Sequence, residues 1–233
     1  MILEIKGLNS FYGRAHILSG VELALERGET VALLGRNGAG KSTLLKSIVG
    51  LVREKTGSVL FKGAEIGSLP THRISRMGIG YVPEERRIFT NLTVRENLDV
   101  GRRGRVAATR WPFERIFEVF PNLAGLLDRT AGEISGGEQQ MLTVARSLVG
   151  NPELMLLDEP SEGLAPQIVE QMARMVGRLQ EDGLTILLSE QNMHFASRVS
   201  QRACIIEGGR MRYAGKMRDI VEDPELRRAY LAV

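Results

Sequence analysis

At 233 residues, the chain is long enough to bury a sizeable core, as one large domain or a domain carrying a subdomain. Its 31 Lys+Arg against 28 Asp+Glu leave a net charge of only +3, and a nucleic-acid footprint would instead show clustered basic residues. One cysteine, Cys204, excludes an internal disulfide and fits a reducing compartment, and no apolar run approaches the ~18 residues of a membrane span. The start, Met1-Ile2-Leu3-Glu4-Ile5-Lys6, lacks the charged-then-apolar layout of a signal peptide. We therefore expect a cytosolic chain, or one held at a membrane only through partners.

In chain order, residues 2–6 and 21–25 read as short strands, and Arg27-Gly28-Glu29 as a turn. Thr30 to Leu34 is a short apolar run. Lys41 to Leu51 then has helical period, with Leu44, Leu45, Ile48 and Val49 on one side. After Ile79-Gly80-Tyr81-Val82-Pro83 the character changes to a stretch rich in Arg, Asn and Leu. Thr93-Val94-Arg95-Glu96 has the spacing of a capping box, and Arg110 to Phe120 reads as a helix stopped before Pro121. Arg102, Arg103 and Arg105 form the nearest approach to a basic cluster, read as a solvated segment, with anionic lipid as the alternative. From Leu154 the pattern alternates again: strand 154–157, helix Pro166 to Glu181, turn Asp182-Gly183, strand 184–188. Two short strands, 203–206 and 210–214, precede a helical tail to Tyr230. Cys204 falls in the apolar run Ala203 to Ile206, as a buried strand thiol. The expected fold is α/β, with 1–84 and 151–233 as a core and about 85–150 as an inserted helical subdomain.

The segment GRNGAGKS, Gly35 to Ser42, fits the phosphate-loop pattern G-x-x-x-x-G-K-[ST]. Gly35 and Gly40 let the backbone curl so that successive N–H groups face anionic oxygens. Lys41 brings a point charge to the β- and γ-phosphates, and Ser42 a hydroxyl to Mg²⁺ at a helix start whose dipole favours the anion. The whole run of Gly35, Arg36, Asn37, Gly38, Ala39, Gly40, Lys41, Ser42 and Thr43 is the candidate nucleotide-binding segment. Strand, glycine-rich turn and helix supply the context this motif requires.

A second segment is ISGGEQQ, starting at Ile134. Ser135-Gly136-Gly137-Glu138 reads equally as a plain capping box opening a helix from Glu138 to Val149. It lies 23 residues before Asp158 in LMLLDEP, an apolar strand ending in two carboxylates. Such a strand delivers Asp158 to the water shell of Mg²⁺ and places Glu159 beside the γ-phosphate.

Phosphate loop, ISGGEQQ and LLDEP in this order resemble the ATP-binding-cassette (ABC) ATPases. The resemblance implies an α/β fold of the phosphate-loop type, with a RecA-like core, an antiparallel β subdomain and the helical insertion. It implies that Ser135, Gly136 and Gly137 cap the γ-phosphate held by an opposite subunit, and that Tyr12 lies against the adenine ring, where a strand-end aromatic packed on the core is the alternative. Pro160-Ser161-Glu162-Gly163-Leu164-Ala165 occupies the loop that crosses the dimer interface. Two positions depart from the general pattern: Glu84 stands where most members have glutamine, and Gln191 where most have histidine. His194, three residues on, starts roughly 5 Å further along the axis and does not replace it.

The combination of VPE-x-RR-x-F, LTVRENL, SGGEQQM, DEPS-x-GLAP and EQN, and the ending 223–231, is similar to the LivF-type subunits of branched-chain amino acid importers. Glu162 departs from the apolar residue expected in the crossing loop. The implied activity is ATP hydrolysis, with ATP and Mg²⁺ as cofactors. Lys41, Glu159 and Gln191 are the catalytic candidates, with Glu159 polarising water; Ser42, Asp158 and Glu84 lie around the metal. The implied partners are membrane-spanning permease subunits, a second ABC ATPase in a heterodimer or homodimer, and indirectly an external solute-binding protein, at the cytoplasmic face of the membrane. Residues 84–90 are the expected hinge and docking surface. Related readings are an importer of urea, short amides or other amino acids. A DNA- or ribosome-acting ABC protein lacks support here, because the chain has one cassette and no heptads. A binding module without hydrolysis is opposed by Lys41, Asp158 and Glu159.

Overall fold

A computed structural model of the protein describes residues 1–102 and 109–230. The chain opens with a long hairpin, β1 (Leu3–Tyr12) and β2 (Ala15–Leu25). Both strands run well beyond the expected 2–6 and 21–25. The alternation that would reveal them is broken by register shifts along the pairing, where Gly7 and Gly20 adopt φ of 56° and 62°. With β4 (Lys55–Phe61) and β5 (Ala64–Glu65) they form an antiparallel sheet ordered β2-β1-β4-β5.

The second sheet positions the site. It contains β3 (Thr30–Leu34), β6 (Ile79–Val82), β7 (Leu154–Asp158), β8 (Thr185–Glu190), β9 (Arg202–Glu207) and β10 (Arg210–Lys216), in the order β10-β9-β3-β8-β7-β6. All neighbours pair in parallel except β9 with β10. Every residue of β3, β7 and β8 is buried, as expected of parallel strands covered on both faces. Alternation divides them between two cores. Val31, Leu33, Leu154 and Leu156 pack with the antiparallel sheet and with α1 (Lys41–Ile48). Ala32, Leu34, Met155 and Leu157 pack with the helices of the other face. Cys204 is buried on β9, where burial pushes its thiol up.

Beyond α1 comes α2 (Thr71–Arg76), and between β6 and β7 lie α3 (Val94–Val100), α4 (Phe113–Val119), α5 (Pro121–Ala124) and α6 (Gly136–Val149). Both capping boxes are present: Thr93 and Ser135 each accept from the backbone three residues on, and Glu96 and Glu138 accept in return. Three boundaries shift for local reasons. α1 ends at Ile48, short of Leu51, because Gly50 turns the chain with φ 76°. α4 begins only at Phe113, after Pro112. Pro121 starts α5 at its first turn, where its missing N–H costs nothing. Trp111, Ile116, Phe120 and Leu123 join Val94 and Leu98 in the same core as Ala32 and Leu34, so the helical insertion shares apolar packing with one face of the parallel sheet. Of the basic run, Arg102 pairs with Asp99 at 3.2 Å and lies 4.2 Å over the Phe113 ring; Arg103 and Arg105 lie outside the described residues, as does Leu231 of the ending. The chain then continues through α7 (Pro166–Glu181), α8 (Met193–Val199), α9 (Met217–Glu222) and α10 (Pro224–Tyr230). Among the described residues no helix is long and apolar enough to cross a membrane.

Candidate active site

Adjacent parallel strands bring their carboxyl ends to one edge, and ligands bind in open α/β sheets outside such ends. There Leu34 pairs with Glu190 and Asp158 with Ser189. The loops after β3, β7, β8 and β6 therefore converge although they are distant in sequence. They enclose a cleft of about 470 Å³ lined by Tyr12, Ile17, residues 37–43, Glu84, Glu159 and Glu162.

The phosphate loop curls through Gly40 at φ 111°, where a Cβ would meet Leu18 at 2.8 Å. Lys41 is 3% exposed; its Nζ donates to the Gly35 carbonyl at 2.8 Å and the Arg36 carbonyl at 3.2 Å, and pairs with Glu159 Oε1 at 3.0 Å. Glu159 is 7% exposed and holds φ 46°, a conformation costing roughly 1–3 kcal/mol unless its surroundings fix it. They do: its N–H donates to Ser189 Oγ at 3.1 Å, and its Oε2 accepts from Gln191 Nε2 at 2.8 Å. Burial pushes the Glu159 carboxyl up, but hydrogen bonds from Glu162, Gln191 and Lys41 outweigh it and hold the group low and ionised. The hydrogen bond to Glu159, then burial, then the charges of Glu159, Glu84 and Glu190 push Glu162 up to about 7.

Asp158 accepts from Ser42 Oγ at 2.9 Å, Ser189 Oγ at 2.7 Å and Tyr81 OH at 3.0 Å. Burial first, then Asp158, pushes the Tyr81 phenol well above its usual range, so it remains a donor. A Ser hydroxyl beside one fixed carboxylate oxygen gives a hard, oxygen-only donor pair. It fits a magnesium ion that completes its shell with water and phosphate oxygens; it is no all-protein cage. Among the described residues no group of three or more His, Cys, Asp or Glu could hold a metal by itself.

The other sequence-predicted residues fall as follows. Tyr12 is 51% exposed at the cleft, free to meet a ring and not buried against the core. Asn37 accepts from Gln191 Nε2. Arg36 offers its carbonyl to Lys41, while its guanidinium turns outward to the Arg228 carbonyl at 3.4 Å. Glu84 is exposed at the rim, with its carboxyl raised by burial and then by Glu159 and Asp158. His194 sits on α8 and is not among the residues lining the cleft. Ser135, Gly136 and Gly137 do not line the cleft either. Ser135 lies exposed at the start of α6. Sequence reasoning missed Tyr81, Ser189 and the buried Glu190, whose oxygens accept from the Ser161, Gln191 and Asn192 amides. The available signal was the polar pair Ser189-Glu190 ending an otherwise apolar strand.

Residues 18–162 match the family described as ABC transporter. The chain belongs to that family. It is 39% identical, over 99% of each chain, to a high-affinity branched-chain amino acid transport ATP-binding protein, BraG, of Pseudomonas aeruginosa. It is 37% identical to a probable branched-chain amino acid transport ATP-binding protein, LivF, of Archaeoglobus fulgidus, over 100% and 99% of the two chains. Similarity extends to a lipopolysaccharide export ATP-binding protein, LptB, of Haemophilus influenzae, at 35% identity over 99% and 97%. Among solved structures, a nucleotide-free ATP-binding cassette from an ABC transporter superposes with a TM-score of 0.83 at 26% identity, covering 97% and 96%. The ABC chain described here binds adenine nucleotide and is an ATP-hydrolysing subunit of a transporter.

Proposed function

We propose that this ABC subunit powers an importer of branched-chain amino acids. The observation that carries the cargo is the near-complete, 39%-identical match to BraG, in agreement with the VPE-x-RR-x-F, DEPS-x-GLAP and EQN segments. Within the cleft, Lys41 and the loop amides hold the phosphates. Glu159, ionised and aimed into the cleft, orients and polarises the attacking water for in-line displacement. Ser42 and Asp158, with Glu84 at the rim, hold magnesium, which when bound neutralises charge on the phosphate oxygens. Gln191 positions Glu159 and Asn37 but cannot carry a proton.

One chain holds half of each site, because Ser135 to Gly137 lie off the cleft that holds Lys41. A second ABC subunit brings its α6 terminus to the γ-phosphate, and the pair closes on ATP and opens after hydrolysis. Membrane-spanning subunits receive this motion through residues 84–90, where Phe89 is 48% exposed, at the cytoplasmic face of the membrane. An external solute-binding protein selects the cargo. The match to LptB favours one second reading, an exporter of lipid.

The test is to isolate a tagged Glu159→Gln chain with ATP from detergent-solubilised native membranes. We expect two multi-span proteins and a second, different ABC ATPase. Recovery of lipopolysaccharide-export partners selects the second reading, and recovery of no membrane protein overturns both.

A further inference from the structure

Between Glu84 at the cleft and Phe89 on the surface, two consecutive non-glycine residues adopt left-handed backbone: Arg86 at φ 61° and Arg87 at φ 48°. Such conformations persist only where the surroundings over-determine them. Beside the turn's own hydrogen bonds, Arg86 N–H to the Pro83 carbonyl and Arg87 N–H to the Glu85 carbonyl, two helices restrain it. Thr143 Oγ1 lies 2.9 Å from both the Arg86 carbonyl and the Gln139 carbonyl of its own helix, which share its one proton, and Arg146 Nη2 donates to the Arg87 carbonyl at 2.7 Å. The Arg146 guanidinium also lies 5.1 Å over the Phe89 ring, and its Nη1 donates to Asn97 Oδ1 at 3.4 Å. Asn97, fully buried on α3, closes the arrangement by accepting from the Phe89 N–H at 2.9 Å and donating to the Phe89 carbonyl at 3.0 Å.

Thr143 and Arg146 belong to α6, the helix capped by Ser135. At 1.5 Å per residue, the clamp lies about 12–16 Å along the rod from that terminus. The loop thus starts at a carboxylate facing its own nucleotide cleft and is fastened to the helix that meets the opposite nucleotide. Half-burial of the Arg146 guanidinium lowers its basicity without neutralising it.

We infer that Arg146 is a positioning residue for coupling: with Thr143 and Asn97 it locks the strained Arg86-Arg87 turn to α6, so that Phe89 moves with that helix. This deepens the proposed function and rests on its assignment of residues 84–90 as the docking loop. It gives Arg146 no contact with nucleotide and no role in binding it.

The experiment compares wild type, Arg146→Met, Arg146→Lys and Arg146→Met/Arg87→Gly. Amide hydrogen exchange at 86–89 is measured on the purified full chain, together with ATP affinity and melting temperature. Uptake is measured in native cells. Arg146→Met is expected to speed exchange at 86–89 by at least about tenfold and to cut uptake by about tenfold. ATP affinity stays within about twofold. Arg146→Lys, which keeps charge but not the fork, falls between. Glycine at 87 removes the penalty of the left-handed turn but supplies no tether to α6, so the double variant regains any lost melting temperature while uptake stays low, whereas a merely structural Arg146 gives recovery of both. If Arg146→Met lowers the melting temperature, Thr143→Val repeats the comparison by removing the hydroxyl shared between the Arg86 and Gln139 carbonyls. Unchanged exchange at 86–89 overturns the inference whatever the cargo. Faster exchange with full uptake, in cells where Lys41→Ala abolishes uptake, overturns the coupling role. Leucine uptake untouched by Lys41→Ala strikes the cargo reading alone, and the exchange result still decides the clamp.

Discussion

Replacing Glu159 by Gln should uncouple binding from hydrolysis in opposite directions. Lys41 Nζ is engaged by Glu159 Oε1 at 3.0 Å, so this carboxylate and the phosphates of ATP compete for the lysine. At that distance and an effective dielectric of about 20, the attraction is about 5 kcal/mol. Desolvation of two buried ions cancels most of it, leaving a net of about 1 kcal/mol. Removing the carboxylate frees Lys41, which keeps the Gly35 and Arg36 carbonyls. ATP should then bind about fivefold more tightly. Hydrolysis should fall by about 10²–10⁴, because the amide cannot polarise water. Equilibrium binding of a fluorescent ATP analogue and phosphate release measure the two effects. Weaker ATP binding, or hydrolysis within tenfold of wild type, refutes the assignment of Glu159 and its competition for Lys41.

Gln191→His should raise turnover by about tenfold by supplying a group that carries a proton beside Glu159; an unchanged phosphate-release rate contradicts this. Glu162 has a raised folded pKa of about 7, so its penalty is absent below the unfolded carboxylate range and fully present above about pH 7. Glu162→Gln should therefore raise the melting temperature at pH 8 and not at pH 4. The group is exposed, so solvent screening limits the gain to about 1 kcal/mol or less, which is ~2–4 °C; a shift equal at both pH values sinks the argument. Phe89→Asp should abolish uptake while ATP affinity stays within about twofold. Ile88→Asp should do the same but lose stability as well, because Ile88 packs against the core; a melting temperature equal to that of wild type excludes that packing cost.

Local chemistry was the most legible part of this chain. The phosphate loop, both capping boxes and the Asp158-Glu159 strand end are written in short contiguous segments, and each forms as the residues imply. The β1–β2 hairpin was only half visible, because shifts in register around Gly7 and Gly20 break the alternation that signals a strand. Tyr81 carries no local signal for meeting Asp158, and the polar Ser189-Glu190 end of β8 does not say which residue it meets. Their contacts follow from the strand order β8-β7-β6, a non-local outcome of packing. The Arg146 clamp is hidden for the same reason: an arginine near a helix end reads as a solvated charge until the loop is seen to lie across it.

The most direct test of the account is uptake of labelled leucine by native cells carrying Lys41→Ala, beside the parent and with labelled urea as a parallel solute. Lys41 is buried at the centre of the nucleotide cleft, so its loss should disable hydrolysis and abolish leucine uptake while urea uptake continues. Leucine uptake equal to the parent's, with no second leucine importer active, would contradict the assignment of this ATPase to branched-chain amino acid import.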